Sequence, residues 1–242
     1  MVKLQSLLPL RSELAAVQSA VEETVAKSGS KLSLHFVKEA REDELRPALV
    51  FLSGRLCEVP PGKLLPLAAA VQLIFLAGVL HRKASETGAA GDLLKDLILL
   101  GDYLYSASFR VLADAALQRL LIPLARVVQA ECSVIDSSAG YGGSDPAVIK
   151  NEVALLIGEC CRLPATMADV SFGEALYDFG VNLGMLYGLL RRGASPSLAE
   201  PFAGGAKAAL TRLPARPARH YLKEVLQLVT GAFFGAEVAA TR

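Results

Sequence analysis

The residues that could do chemistry in this sequence are mostly cations. His81-Arg82-Lys83 ends one long apolar run, Arg191-Arg192 ends another, and Arg46 sits in the short segment Glu44-Leu45-Arg46-Pro47. Guanidinium and ammonium groups bind phosphate and carboxylate and do not ligate metal ions. Carboxylates at helical spacing are few. Asp92 and Asp96 lie four residues apart with Lys95 between them, which reads as a solvated face. His35, His81 and His220 are widely spread, and Cys57, Cys132, Cys160 and Cys161 form no CxxC. That gives no basis for a metal centre held by histidine or thiolate. Adjacent Cys160 and Cys161 read as small apolar residues in a reducing compartment. No GxxxxGK[ST], GxSxG or HExxH occurs. The glycine-rich AGYGGSDP at 139–146 lacks the lysine and preceding strand of a phosphate loop, and reads as a connector.

The elements that must position these groups are helical. Of 242 residues, 52% are hydrophobic and 20% charged, with a mean hydropathy of +0.40. Such a chain has ample apolar surface to offset its ordering entropy, and its length fits one large domain, taken as 1–242. Lys and Arg number 25 against 24 Asp and Glu, so the net charge of +1 offers nucleic acid no electrostatic footprint. Aromatics at 6% with no Trp offer no base-stacking platform either. Apolar residues recur at three- and four-residue steps, as in Leu10, Leu14, Val17, Val21 and Val25. Helix starts are signalled at Asp145-Pro146, and by capping-box spacing at Ser171 with Glu174 and Ser197 with Glu200. Only Leu32, Leu34 and Phe36 alternate, too briefly to outvote their surroundings. Breaks at 60–62, 88–91, 137–144, 193–196 and 213–217 divide the chain into eight to ten expected helices.

Two segments, 64–80 and 93–121, are apolar nearly all round and must be surrounded by other helices. The expected fold is therefore all-α, a large single-domain helical bundle with central buried helices. Leu64 to Leu80 is at the lower limit for a membrane span and contains Pro66 and Gln72, so it reads as a core helix and no transmembrane span is expected. The first residues show no signal-peptide pattern, and a cytoplasmic location is expected.

In order along the chain, several segments resemble one family, the trans-isoprenyl diphosphate synthases or polyprenyl synthetases. Glu44 to Val50 (ELRPALV) resembles the family's GGKRLRPxLV. AAAVQLIFLAGVLHRKASE at 68–86 resembles its helix ending in HDDxxD, and LGDYLYSASFRVLAD at 100–114 its AGDYLLAxAxxxLA. NEVALLIGECCRLPA at 151–165 stands where KTAxLxxxxxxLGA is expected, and FGVNLGMLYGLLRR at 179–192 matches the frame of YGxNLGxAFQxxDD. ALTRLPARPARHYLKEVL at 209–226 is similar to the closing ALxxLPxSxARxxLxxL. The likeness implies the isoprenoid-synthase fold.

The same likeness implies lost chemistry. In the family, two aspartate motifs hold Mg²⁺ on the departing diphosphate of an allylic substrate. Here the first motif reads His81-Arg82-Lys83-Ala84-Ser85-Glu86, and the second ends in Arg191-Arg192. A unit-charge pair at 4 Å is worth about 4 kcal/mol at an effective dielectric near 20, and a divalent ion beside a cation feels roughly twice that as repulsion. Arg41 to Glu44 replace Gly-Gly-Lys-Arg, Phe75 stands at a histidine position, and Asn151-Glu152 at the lysine-threonine pair, whereas Arg46 and the Gly101-Asp102 pair remain.

The resemblance therefore implies a non-catalytic, regulatory or structural subunit of a heteromeric trans-polyprenyl diphosphate synthase in isoprenoid and quinone side-chain biosynthesis. Its partner would be a catalytic synthase subunit, or a second copy in a homodimer. No cofactor is expected in this chain, with Mg²⁺ held by the catalytic partner. The helix around 101–121 corresponds to the family's dimer-forming region, which makes Tyr103, Tyr105 and Phe109 the expected interface residues. An alternative is a metal-independent anion or prenyl-diphosphate binding protein, with Arg46, Arg82, Lys83, Arg191 and Arg192 converging at the old cavity. A third reading, a divergent active prenyltransferase, would need a replacement metal site that the sequence does not offer.

Overall fold

Prolines, glycines and short polar stretches cut the chain into helices whose apolar faces can be covered only by one another. The computed structural model describes residues 10–30, 44–86, 90–135 and 145–240. Among them the secondary structure is helical throughout. The order is α1 (Arg11–Ala26), α2 (Leu45–Leu56), α3 (Pro61–Glu86), α4 (Gly91–Asp114), a 3₁₀ turn at Gln118–Leu120, and α5 (Leu121–Ile135). There follow α6 (Pro146–Ile149), a π-turn at Lys150–Ala154, α7 (Leu155–Ala168), α8 (Gly173–Arg191), α9 (Pro196–Thr211) and α10 (Pro217–Ala240).

Two helices, α3 and α8, carry much of the buried core. In α3, Leu64, Leu67, Ala70, Leu73, Ile74 and Ala77 are fully buried, with α4, α2, α1 and α7 packed around them. One 18-residue window within Pro61–Ser85 has the length and hydropathy to cross a membrane, and 72% of it is covered by the fold. In α8, Leu176, Phe179, Leu183, Leu186 and Leu189 are equally buried between α7 and α9. Gly180 makes that packing close. A Cβ there would stand 2.6 Å from the Ile157 carbonyl oxygen. The C-terminal turns of these two central helices carry Arg82 and Arg192.

The sequence signals hold unevenly. Asp145 caps α6, its carboxylate accepting from the Ala147 amide at 2.8 Å. The Ser171/Glu174 box does not form: α8 starts at Gly173, and the Glu174 carboxylate lies 3.5 Å from Arg162. Helix α9 starts two residues earlier than a cap at Ser197 implies, because Ser195 precedes the helix and Pro196 takes the first helical position. The segment 93–121, expected to be surrounded on all sides, is instead two helices, the first with one buried face (Leu97, Leu100, Leu104, Leu112) and with Leu93, Ile98 and Leu99 exposed. Ala116 adopts a left-handed φ of 57°, and the Leu117 amide closes back on the Leu112 carbonyl at 2.8 Å. Leu32, Leu34 and Phe36 lie outside the described residues, as does most of 139–146.

Candidate functional site

The first cationic cluster sits where α3 runs out of apolar residues. Arg82 turns inward across to α5, and its Nη1 donates to Glu131 Oε1 at 2.6 Å. The Glu131 side chain is only 8% exposed. Gly78, one turn before Arg82, makes the approach possible, because a Cβ there would collide with the Glu131 carboxylate. The Tyr105 hydroxyl donates to Glu131 Oε2 at 3.3 Å. Burial pushes the Glu131 carboxyl above its ordinary pKa, while Arg82, the Tyr105 hydroxyl and Arg46 each pull it back. His81 meets the Tyr105 ring edge-on at 5.4 Å. Its Nε2 lies 3.2 Å from Asp102 Oδ1, and its ring fills the space that Gly101 leaves.

The second cluster repeats the device. Arg192, at the end of α8, pairs with Glu152, whose side chain is 2% exposed. Gly188 lies one turn before Arg192, as Gly78 lies before Arg82, and a Cβ there would meet Ile149. Glu152 belongs to the π-turn between α6 and α7, and the widened turn carries its carboxylate inside. Arg46 is itself buried, its guanidinium 3.6 Å above the Phe75 ring. Both Arg46 and Glu152 act electrostatically on Glu131, so the two ion pairs share one interior. Three arginines and two glutamates there leave a formal charge of +1 when all are ionised.

This corrects the expected anion site. Arg82 and Arg192 do not stand open at a cavity mouth, because each is committed to a buried glutamate on a different helix. Arg46 is stacked in the core. Arg191 is exposed at the end of α8, 5.7 Å from the Tyr187 ring, and Lys83 is half-buried. Asn151 lies half-buried in the π-turn beside Glu152. The Glu86 side chain and Arg41 to Asp43 lie outside the described residues.

The proposed interface aromatics are also turned toward their own chain. Tyr105 reaches Glu131, Tyr103 donates to the Thr24 carbonyl of α1 at 3.3 Å, and Phe109 is half-buried against the core. The exposed apolar side chains of α4 are Leu93, Ile98 and Leu99.

The residues at the two motif positions do not fit magnesium. Hard oxygen ligands free to turn toward an ion are what Mg²⁺ requires, and here Glu131 and Glu152 are held by arginine while Asp102 lies against His81. Among the described residues, no group of three His, Cys, Asp or Glu side chains is placed to hold a metal ion. Glu131 is the site residue that the sequence reading missed. Its signal is faint but present: it falls on the stripe Leu124, Val127, Glu131, Val134, a carboxylate on an otherwise buried apolar face.

No protein-family model matches the chain. Component 2 of the heptaprenyl diphosphate synthase of Geobacillus stearothermophilus is 26% identical over 199 residues, covering 74% of this chain. The chain spans 62% of the length of that relative. A decaprenyl diphosphate synthase from Rhodobacter capsulatus superposes with a TM-score of 0.77 at 18% identity, covering 93% of this chain and 98% of its own. A geranylgeranyl pyrophosphate synthetase from Geoglobus acetivorans gives 0.72 at 16% identity, covering 91% and 98%. The structures share the all-α isoprenoid-synthase fold. The chain is thus similar in sequence to a heptaprenyl diphosphate synthase component and similar in fold to these synthases, with Arg82 and Arg192 at the positions matched to their aspartate motifs.

Proposed function

We propose that this chain is the non-catalytic subunit of a heteromeric trans-polyprenyl diphosphate synthase. One observation carries the reading. At both positions where the resemblance puts metal-binding aspartates, an arginine reaches a buried glutamate, Arg82 to Glu131 and Arg192 to Glu152. The charges that would have assembled Mg²⁺ and diphosphate are replaced by pairs that tie α3 to α5 and α8 to the π-turn. What remains of the synthase is its helical frame. The name of the Geobacillus relative, a numbered component, supports a synthase built from more than one kind of chain.

In this reading the catalytic partner supplies both aspartate motifs and their Mg²⁺, and this chain supplies a packing surface. Leu93, Ile98 and Leu99, exposed at 48%, 41% and 54%, put apolar side chains on the surface of α4 that such a contact would cover. A second subunit there reshapes the floor along which an elongating chain runs, which favours longer product.

The test begins with the purified chain, labelled isopentenyl diphosphate, an allylic diphosphate and Mg²⁺. The expected result is no extraction of label into prenyl product above a heat-killed control, and no Mg²⁺-dependent thermal shift with a diphosphate. Turnover by the isolated chain refutes the reading.

A further inference from the structure

Outside the ion-paired interior, positive charge gathers a second time where α9 turns into α10. A cleft of about 680 Å³ runs between these helices, within the usual size of small-molecule sites. Lys207, Arg216, Arg219, His220 and Lys223 line it, and no carboxylate lines it among the described residues. Two of these cations have acidic neighbours: Arg216 lies 3.5 Å from Glu58, and His220 lies 3.2 Å from Glu224. Lys207, Arg219 and Lys223 have no carboxylate partner among the described residues.

The charge is not spread evenly. On α10, Arg219, Lys223, Leu226 and Thr230 follow one another at three- and four-residue steps and form a single stripe. Its first half is basic and its second half carries no charge. Leu226 and, from α9, Leu210 provide a buried apolar floor. At roughly 1.5 Å per residue the stripe is about 16 Å long, enough for a charged head and several carbons of a chain. A fully hydrated small anion would use only the basic half.

We infer that this cleft binds an anionic amphiphile, the cations of the loop and first turns of α10 taking a phosphate head and Leu210 and Leu226 taking the start of its hydrocarbon tail. The inference stands independently of the subunit reading, since none of these residues belongs to either ion pair. A phosphate head can come from a bilayer phospholipid or from a soluble amphiphile.

The full-length chain is titrated with soluble dihexanoyl phosphatidic acid, with inorganic phosphate, and with phosphatidylcholine vesicles with and without phosphatidylglycerol. The expected result is binding of the soluble amphiphile clearly tighter than of inorganic phosphate. Co-sedimentation with the anionic vesicles, absent with phosphatidylcholine alone, identifies a bilayer headgroup as the source; binding of the soluble amphiphile alone identifies a free one. Lys207→Glu with Lys223→Glu lowers affinity at least ~30-fold at unchanged thermal stability, and the distant Lys95→Glu leaves it unaltered. If the double variant is unstable, Lys223→Gln alone still weakens binding about fivefold. No binding of any amphiphile, equal binding of inorganic phosphate, or affinity indifferent to these lysines overturns the inference.

Discussion

Replacing Arg82 by alanine strands a carboxylate inside the protein. Arg82 Nη1 lies 2.6 Å from Glu131 Oε1, and the Glu131 side chain is 8% exposed, so little water can take the place of the guanidinium. Breaking a buried pair from one side costs about 3–5 kcal/mol. The Tyr105 hydroxyl and the field of Arg46 remain, and the acid can take up a proton, which puts the expected loss near the lower figure. For a chain of this length about 3 kcal/mol lowers Tm by roughly 6–12 °C.

The loss depends on pH in a definite direction. Burial already holds the Glu131 carboxyl above its ordinary 4.5, so the native protein binds that proton more tightly than the unfolded chain does. Such a carboxyl costs stability as pH rises past the unfolded value, and the cost is relieved as pH falls. Without Arg82 the native value climbs further, so the deficit of Arg82→Ala is smaller at about pH 5 than at about pH 8. Removing both charges, as Arg82→Met with Glu131→Leu, removes both desolvation costs and restores stability to within about 1 kcal/mol of the parent. Urea unfolding followed by circular dichroism at the two pH values measures all of this. A loss below about 1 kcal/mol at both pH values, or a double variant as unstable as the single, refutes the buried pair.

Gly78→Ala pushes a methyl group into the Glu131 carboxylate and forces α3 away from α5, costing about 1–3 kcal/mol by the same unfolding measurement. Tyr105→Phe deletes one donor to Glu131 Oε2 and leaves the arginine in place, so its cost is about 1–2 kcal/mol, below that of Arg82→Ala. Leu99→Glu places a charge at a side chain already 54% exposed, so the isolated chain keeps its Tm, while association with a catalytic subunit weakens in a pull-down.

The frame was legible in the sequence because burial writes itself as periodicity. The all-apolar run of α3 leaves no polar face, so its central position follows from composition, whereas the same reading of 93–121 fails because α4 leaves Leu93, Ile98 and Leu99 exposed. The stop after Asp114 was not legible, since the left-handed residue that closes the turn is Ala116 and not the glycine or asparagine that would signal it. At the site, the arginines at 82 and 192 were visible but their partners were not. Glu131 and Glu152 lie 49 and 40 residues away in the chain, and a charge pair at such separation leaves no pattern. Charge type alone suggested an open anion site; only the fold reveals that each arginine already has its anion. Likewise, the aromatic character of Tyr103, Tyr105 and Phe109 could not tell an outer face from an inner one.

Co-expression with a DDxxD-bearing synthase from the same organism tests the central claim most directly. The tagged chain is purified, the complex is sized, and its prenyl products are separated by chain length beside those of the synthase alone. A stoichiometric heteromer that makes product faster or longer than the synthase alone is the predicted result. If the two chains fail to co-purify, and neither rate nor chain length changes when they are mixed, the subunit function is contradicted.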